Sequence, residues 1–549
     1  MKASNISRAR RLFLRRSVTI GGGLAVASLG QSVEGLARML RGQRSDAPAF
    51  GTAETPAIIT SERMRPRIPS GVQSGDATLT GGGDARALVW SRTDLPADMT
   101  VEWDTTPRFT NVRRVPRHHV TAATDFTGQI DLTGLPPGQD IFYRVRFEVA
   151  GSRDASEPLG GHFRTPSSDP RDLVLVWGGD TAGQGWGIDA ARGGMRTYEA
   201  MRRLEPDLFV HSGDLIYADN PILPEVKLTD GSVWRNLVTE ETAKVAETIE
   251  EFRGRYRYNL LDENVRRFHA DVSMIAQWDD HEVRNNWYPS QVLDDPRYRV
   301  RDVGLLAARA RQAYLEYVPI RRTRNDRHRI HRVNHYGPLV DLFVLDERSY
   351  RGPNTANTQE RQNRATEMLG PGQIEWLRHE LARSRATWKV IASDMPLGLV
   401  VADGETAQEG WANGRPQALG RELELLGLLG FIKTQGIDNV VWITADVHYA
   451  AAHHYDPERA TFHDFSPFWE FVAGPLHAGT FGPGTLDSTF GPEVRFTSLP
   501  ASGANNRPPS DGLQFFGAIR VAAATRAMTV TLHNQAGERL FSVDLTPDA

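Results

Sequence analysis

Six short apolar runs in this chain each end at or just before an aspartate, and that repetition narrows the folds open to it. Residues 173–177 lead to Asp180, 208–211 to Asp214, 272–277 to Asp279, 340–345 to Asp346, 390–392 to Asp394 and 440–444 to Asp446. Apolar runs alternating with helical stretches are the pattern of an α/β layer fold, in which sites form where strands end. Acids carried to one edge of such a sheet predict a single acidic crevice. The stretches 373–385, after Pro371-Gly372, and 423–434, before Gly436, read as amphipathic scaffold helices.

At 549 residues the chain exceeds what one core usually organises, so two domains with appendages are expected. Residues 71–165 change character to short alternating segments (87–91, 100–103, 141–147) broken by Gly, Pro and Asp turns, the pattern of a small β-sandwich. The alternating segments 516–521, 529–532 and 540–545 predict edge strands without chemistry. Residues 31–67 lack sustained periodicity and read as a linker.

Ahead of that linker, Arg10-Arg11 is followed by Leu12, Phe13 and Leu14 and then by a weakly apolar stretch, 18–29, rich in Gly and Ala. Residues 1–30 resemble a twin-arginine export signal, with cleavage expected after Ala25-Val26-Ala27. The resemblance implies passage through the Tat translocase in a folded, metal-loaded form, and a periplasmic or secreted location. No later apolar run reaches the roughly 18 residues of a membrane-spanning helix, so a soluble mature chain is expected.

Cysteine is absent, which excludes disulfides, thiolate nucleophiles and sulfur ligands; any metal is held by oxygen and nitrogen. A net charge of -4 gives no electrostatic reason for a nucleic-acid partner.

Gly213-Asp214-Leu215-Ile216-Tyr217 places a carboxylate after a buried strand, with a phenol three residues on and a glycine before the acid that lets a metal or phosphate approach the backbone. Trp278-Asp279-Asp280-His281-Glu282 cannot continue the buried strand before it, and Asn285-Asn286-Trp287 extends the polar rim. In Ala445-Asp446-Val447-His448 the Asp and His turn toward one ion across a tight loop; His453 and His454 read as surface or supporting residues. The glycine-rich run 178–187 around Asp180 suits backbone amides approaching an anion, and it lacks the lysine of a nucleotide-binding P-loop.

Phosphoester hydrolysis gives a reason to gather such groups. The substrate repels hydroxide, and its transition state spreads charge over several oxygens; two cations about 3.5–4 Å apart, kept close by a shared carboxylate, answer both problems. Asp214 is the expected bridge. Tyr217 ligates only as phenolate, and with a free pKa of about 10 it calls for a strong Lewis acid such as ferric iron.

Taken in order, these blocks resemble the alkaline phosphatase D (PhoD-like) family of the metallophosphoesterases, over residues 68–548. The resemblance also rests on Gly71-Val72-Gln73-Ser74-Gly75-Asp76, on Leu345-Asp346-Glu347-Arg348-Ser349-Tyr350-Arg351 and on Tyr449 after His448. It implies an all-β Ig-like or fibronectin III-like domain at 68–166 and a four-layer α/β/β/α metallophosphoesterase sandwich at 170–548. It further implies ferric iron with one or two calcium ions. By motif, Asp214, Tyr217, Asp446 and His448 would hold iron. Asp214 would also face calcium, with Asp279 and Asn264 as further ligands; Asn264 is chosen by its spacing of 15 residues from Asp279.

One departure is Asp180, which stands where family members commonly have Cys. It stays an expected metal ligand, and its hard oxygen opens zinc or manganese paired with iron as the alternative metals. His281 is expected to contact phosphate or protonate the leaving oxygen, with Asp280 beside it in the catalytic set. Arg348 or Arg351 would clamp phosphate oxygens, or else pair with Asp346 or Glu347.

The activity implied is alkaline phosphatase or phosphodiesterase chemistry on phosphoester small molecules or on cell-envelope and phospholipid diesters. Two other readings compete: a secreted protein that binds a surface polymer around structural calcium, and a metal-dependent hydrolase of non-phosphorus esters such as lactones.

Overall fold

The computed structural model describes residues 65–323, 325–500 and 505–548, and Pro66–Ala549 form one compact unit. The expected signal and most of the expected linker lie outside the described residues.

Two sheets face each other. In the first, Leu173–Gly178, Leu208–Ser212 and Ser273–Gln277 run parallel, as the core of nine strands. In the second, Val340–Val344, Trp388–Ala392, Val440–Thr444 and Phe468–Val472 run parallel within seven. Alternation along each strand sorts its side chains. Leu175, Trp177, Val210 and Ile275 pack inward with Leu342, Val344, Val390, Val441 and Ile443 of the facing sheet. The residues between them point outward: Val176, Phe209 and Met274 meet the helices Ile249–Asn259, Glu263–Asp271 and Val303–Tyr317. Phe343, Ile391 and Trp442 meet Gly370–Arg383 and Glu422–Thr434 on the other side. The outcome is the four-layer α/β/β/α order. Among the described residues no helix is long and apolar enough to cross a membrane.

The N-terminal region is all-β, as expected, and one of its two sheets is continuous with the nine-stranded sheet. Val72–Leu79, Ala85–Arg92 and Thr127–Leu135 extend the nine-stranded sheet, joined to it where Gly75 pairs in parallel with Met274. The remaining strands, chiefly Ala97–Asp104, Asp140–Glu148 and Leu159–Arg164, form a five-stranded sheet whose apolar face shares one core with the rest. At the opposite edge Phe515–Val521, Met528–Asn534 and Arg539–Leu545 add antiparallel strands beyond Leu173–Gly178.

Trp177 ties the two sheets together: fully buried, its Nε1 donates to the Thr444 carbonyl at 3.3 Å. Its ring needs the space left by Gly517 on the neighbouring strand, where a Cβ would overlap the six-membered ring. Gly517→Ala should therefore destabilise the fold by about 1–3 kcal/mol, the usual cost of overpacking, read as a lower denaturant midpoint with an unchanged slope.

Candidate metal centre

Strand ends from both sheets supply three overlapping sets of side chains. Asp180, Asp214 and His448 form one, Asp214, Asp280 and His281 a second, and Asp279, Asp280 and Asp446 a third; within each set one ligand atom per residue lies within 4.8 Å of the others. Asp214 belongs to two sets and Asp280 to two, so the three are linked. The Tyr217 hydroxyl joins the first set, 2.9 Å from His448 Nε2 and 3.5 Å from Asp180 Oδ1.

The loops reach this geometry through a strained backbone. Asp180, Asp214, Asp446 and His448 have φ of 68°, 54°, 64° and 62°, in the left-handed region that non-glycine residues seldom adopt. Hydrogen bonds between loops hold them there. Asp180 N donates to Gly213 O at 3.3 Å and Thr181 N to Asp214 O at 2.8 Å. The buried Glu282 carboxylate accepts the N–H groups of Asp214 at 3.1 Å, Leu215 at 2.6 Å and Asp279 at 2.7 Å.

Several expectations are corrected. Gly213 and Gly183 serve close packing: a Cβ on Gly213 would overlap Cβ of Asp279, and one on Gly183 would enter the Tyr217 ring, so these two positions let loops and ring approach. The amides of Asp180, Thr181 and Ala182 already donate to carbonyls. Asn264 is not brought to the crevice; its Nδ2 donates to Gly193 O at 2.9 Å at the start of its helix. Asp446 falls with Asp279 and Asp280 rather than with Asp214 and His448. Arg348 is fully buried behind the acids and offers no clamp to a substrate. Its Nε donates to Asp279 Oδ1 at 2.6 Å, and it pairs with Glu409 at 2.5 Å and Asp394 at 3.3 Å rather than with its sequence neighbours. Arg351, also buried, donates to the Glu409 carbonyl. Asp346 caps a turn, accepting from Trp278 Nε1 at 2.9 Å and Ser349 N at 2.9 Å. His453 is buried against Glu470 at 2.8 Å, and His454 packs on Trp469.

Asp219 was not anticipated. It is buried, accepts from Asn285 N at 3.0 Å and lies 2.6 Å from His281 Nδ1, orienting an imidazole whose ring centroid lies 4.2 Å from that of Tyr217, tilted by 30°. Its signal was the short step from Asp214 to a second acid in one loop.

The electrostatics are those of a site short of positive charge. Burial, with Asp280 and Asp279 nearby, pushes Asp214 well above the carboxylate range; burial and Asp279 do the same to Asp446. Burial raises Asp180 to about 8. Burial would raise Asp280 too, but His281 and Arg348 hold it below its ordinary value. Burial also raises the Tyr217 phenol, with Asp214 and Asp180 adding to the rise.

Metal ions fit these residues on a separate observation. Asp180 Oδ2, Asp214 Oδ2, Asp279 Oδ2 and Asp280 Oδ1 are buried without a hydrogen-bond partner. Leaving a buried acceptor unsatisfied costs about 1–3 kcal/mol, and more when it is charged, so four in one crevice mark places for cations.

The family model for PhoD-like phosphatase matches residues 175–532, well over half of the chain, and that for the PhoD-like phosphatase N-terminal domain matches residues 52–167. The chain belongs to the PhoD-like phosphatases. Alkaline phosphatase D of Bacillus subtilis (strain 168) is 30% identical over 368 residues, 64% of this chain and 58% of that relative. The PhoD-like chain thus spans about 58% of the length of the curated relative it matches. Among solved structures, PhoD has a TM-score of 0.64 at 20% identity, covering 87% of this chain and 89% of that one. The purple acid phosphatase PPD1 of yellow lupin seeds has a TM-score of 0.54 at 14% identity, covering 87% and 75%. These structures show that the fold is shared.

Burial pulls His281 down, but Asp219 and Asp280 outweigh it and bring the imidazole up to about 9. That lies above the roughly 6.5 of an unfolded histidine, so the stability from this pair is fully present below about pH 6.5 and is lost as pH rises through about 9. Asp219→Asn should return the His281 value to about 6.5 or lower, measured by NMR titration of the ring protons in metal-free protein.

Proposed function

We propose that this PhoD-like chain is a metal-dependent phosphoric ester hydrolase that attacks phosphate mono- or diesters with activated water, and that it acts outside the cytoplasm after twin-arginine export. The observation that carries the reading is the sharing of Asp214 and Asp280 between adjacent ligand sets, which keeps neighbouring cations close. Bound cations would supply the charge that activates water and neutralises the phosphoryl oxygens.

The donor types support a division of metals. The first set combines carboxylates, an imidazole and a phenol, which suits ferric iron. The carboxylates of the second and third sets, joined by Asp280, suit a hard ion such as calcium, with Asp214 shared between the first set and the second. Zinc or manganese paired with iron is the alternative that Asp180 leaves open. Asp219 orients the His281 ring through Nδ1 and favours its protonated form, so that Nε2, 3.8 Å from Asp280 Oδ1, would serve as a proton donor toward the leaving oxygen rather than as a metal ligand. Arg348 acts from behind, holding Asp279 in place.

Elemental analysis of purified protein, with a parallel screen of phosphomonoesters and phosphodiesters, tests the reading. Iron with a second metal, and phosphate release that stops on chelation and returns on reloading, are expected. Turnover of carboxylic esters or lactones without phosphate release would favour the non-phosphorus hydrolase. Asp214→Asn should abolish both metal retention and turnover, and a fully active variant would refute the bridge. If Tyr217 binds ferric iron as phenolate, the protein should show a visible charge-transfer band that Tyr217→Phe removes while the second metal stays; spectra paired with metal analysis decide it.

A further inference from the structure

Asp279 and Asp280 are anchored from outside the crevice, and both anchors lead to one short hairpin built from Ala402–Asp403 and Ala407–Gln408. The first passes through Glu409, just beyond the hairpin. Its buried carboxylate accepts from Arg348 Nη1 at 2.5 Å, and Arg348 Nε donates to Asp279 Oδ1 at 2.6 Å. The Glu409 backbone is clamped in turn: Arg421 Nη1 donates to the Gln408 carbonyl at 3.0 Å and the Glu409 carbonyl at 2.7 Å.

The second anchor starts at Asp403, which accepts from Asn286 Nδ2 at 3.1 Å and Asn354 Nδ2 at 2.9 Å. Asn286 then donates its backbone N–H to Asp280 Oδ2 at 2.5 Å. Each anchor therefore takes one carboxylate oxygen, Asp279 Oδ1 or Asp280 Oδ2. The oxygens without a partner are the other two, Asp279 Oδ2 and Asp280 Oδ1.

We propose that this hairpin is a brace that sets the cation affinity of the Asp279, Asp280 and Asp446 set, with Glu409 and Asp403 as its positioning residues. The inference rests on these acids being metal ligands. By fixing one oxygen of each acid, the brace points the other at the ion, and losing such an outer partner typically weakens binding 10–100-fold. Its contacts go to this set and, through Asp280, to the second; in the first set Asp214 is held instead by His281 N at 3.0 Å and His448 by the Gly479 carbonyl.

The test uses the full chain, stripped of exchangeable cations and titrated with calcium chloride by calorimetry, with tightly held metal measured by elemental analysis. Asp403→Ala, at a half-buried position, and Glu409→Gln should each weaken calcium binding about tenfold or more while tightly held metal stays at the wild-type level. Wild-type calcium affinity in both variants overturns the brace, as does a parallel loss of both metals, which marks general loss of structure, or a wild-type chain that takes up no calcium. A wild-type chain that binds calcium as expected but releases no phosphate would sink the hydrolase reading alone.

Discussion

The structure turns on the close approach of buried carboxylates from two facing sheets. Two like charges about 4 Å apart repel by roughly 4 kcal/mol even at an effective dielectric constant near 20, and a whole domain is held together by only about 5–15 kcal/mol. Asp180, Asp214, Asp279, Asp280 and Asp446 cannot all stay ionised in linked sets without compensation. Protons are one form of it: burial first, and the neighbouring acids after it, hold Asp180, Asp214, Asp279 and Asp446 above the ordinary carboxylate range. Cations are the other, and they displace those protons, so loading releases protons and strengthens as pH rises.

Such a cluster needs a scaffold that will not relax. Left-handed backbone at four site residues costs on the order of 1–3 kcal/mol each, and it persists because the loops bond to one another rather than to water. Behind them lies a core sealed by Trp177 and shared by both sheets, so a shift of one strand end would have to move the facing sheet as well.

Much of this was legible in the sequence because the two signals coincide. A short apolar run marks a strand, and an acid at its end marks either a site or a turn. Asp180, Asp214, Asp279 and Asp446 fall in the candidate metal sets, whereas Asp346 is turned to Trp278 Nε1 and Ser349 N, donors that only the fold brings to it. Local patterns also missed the joining of the N-terminal strands to the main sheet, because Gly75 and Met274 are far apart in the chain. Asn264 failed because it was placed by spacing alone, while its helix start turns the amide to Gly193. Asp219 and Glu409 lie outside the pattern of an acid at a strand end, and their roles come through His281 and Arg348.

Glu282 and Asp219 differ from the acids of the candidate sets in how many donors reach them. Glu282 takes three backbone N–H groups, and Asp219 takes the Asn285 N–H and pairs with the His281 ring; each is spent on protein. Asp214 receives one N–H on Oδ1, while Asp279 receives the Arg348 guanidinium on Oδ1, and each keeps its second oxygen without a donor. Arginine suits the position behind Asp279 because its planar fork reaches several carboxylates at once and stays charged when buried, where a lysine would tend to lose its proton. The Arg348 guanidinium takes Oδ1 of Asp279 and leaves Oδ2 without a donor, so the partner that fixes Asp279 does not occupy its second oxygen.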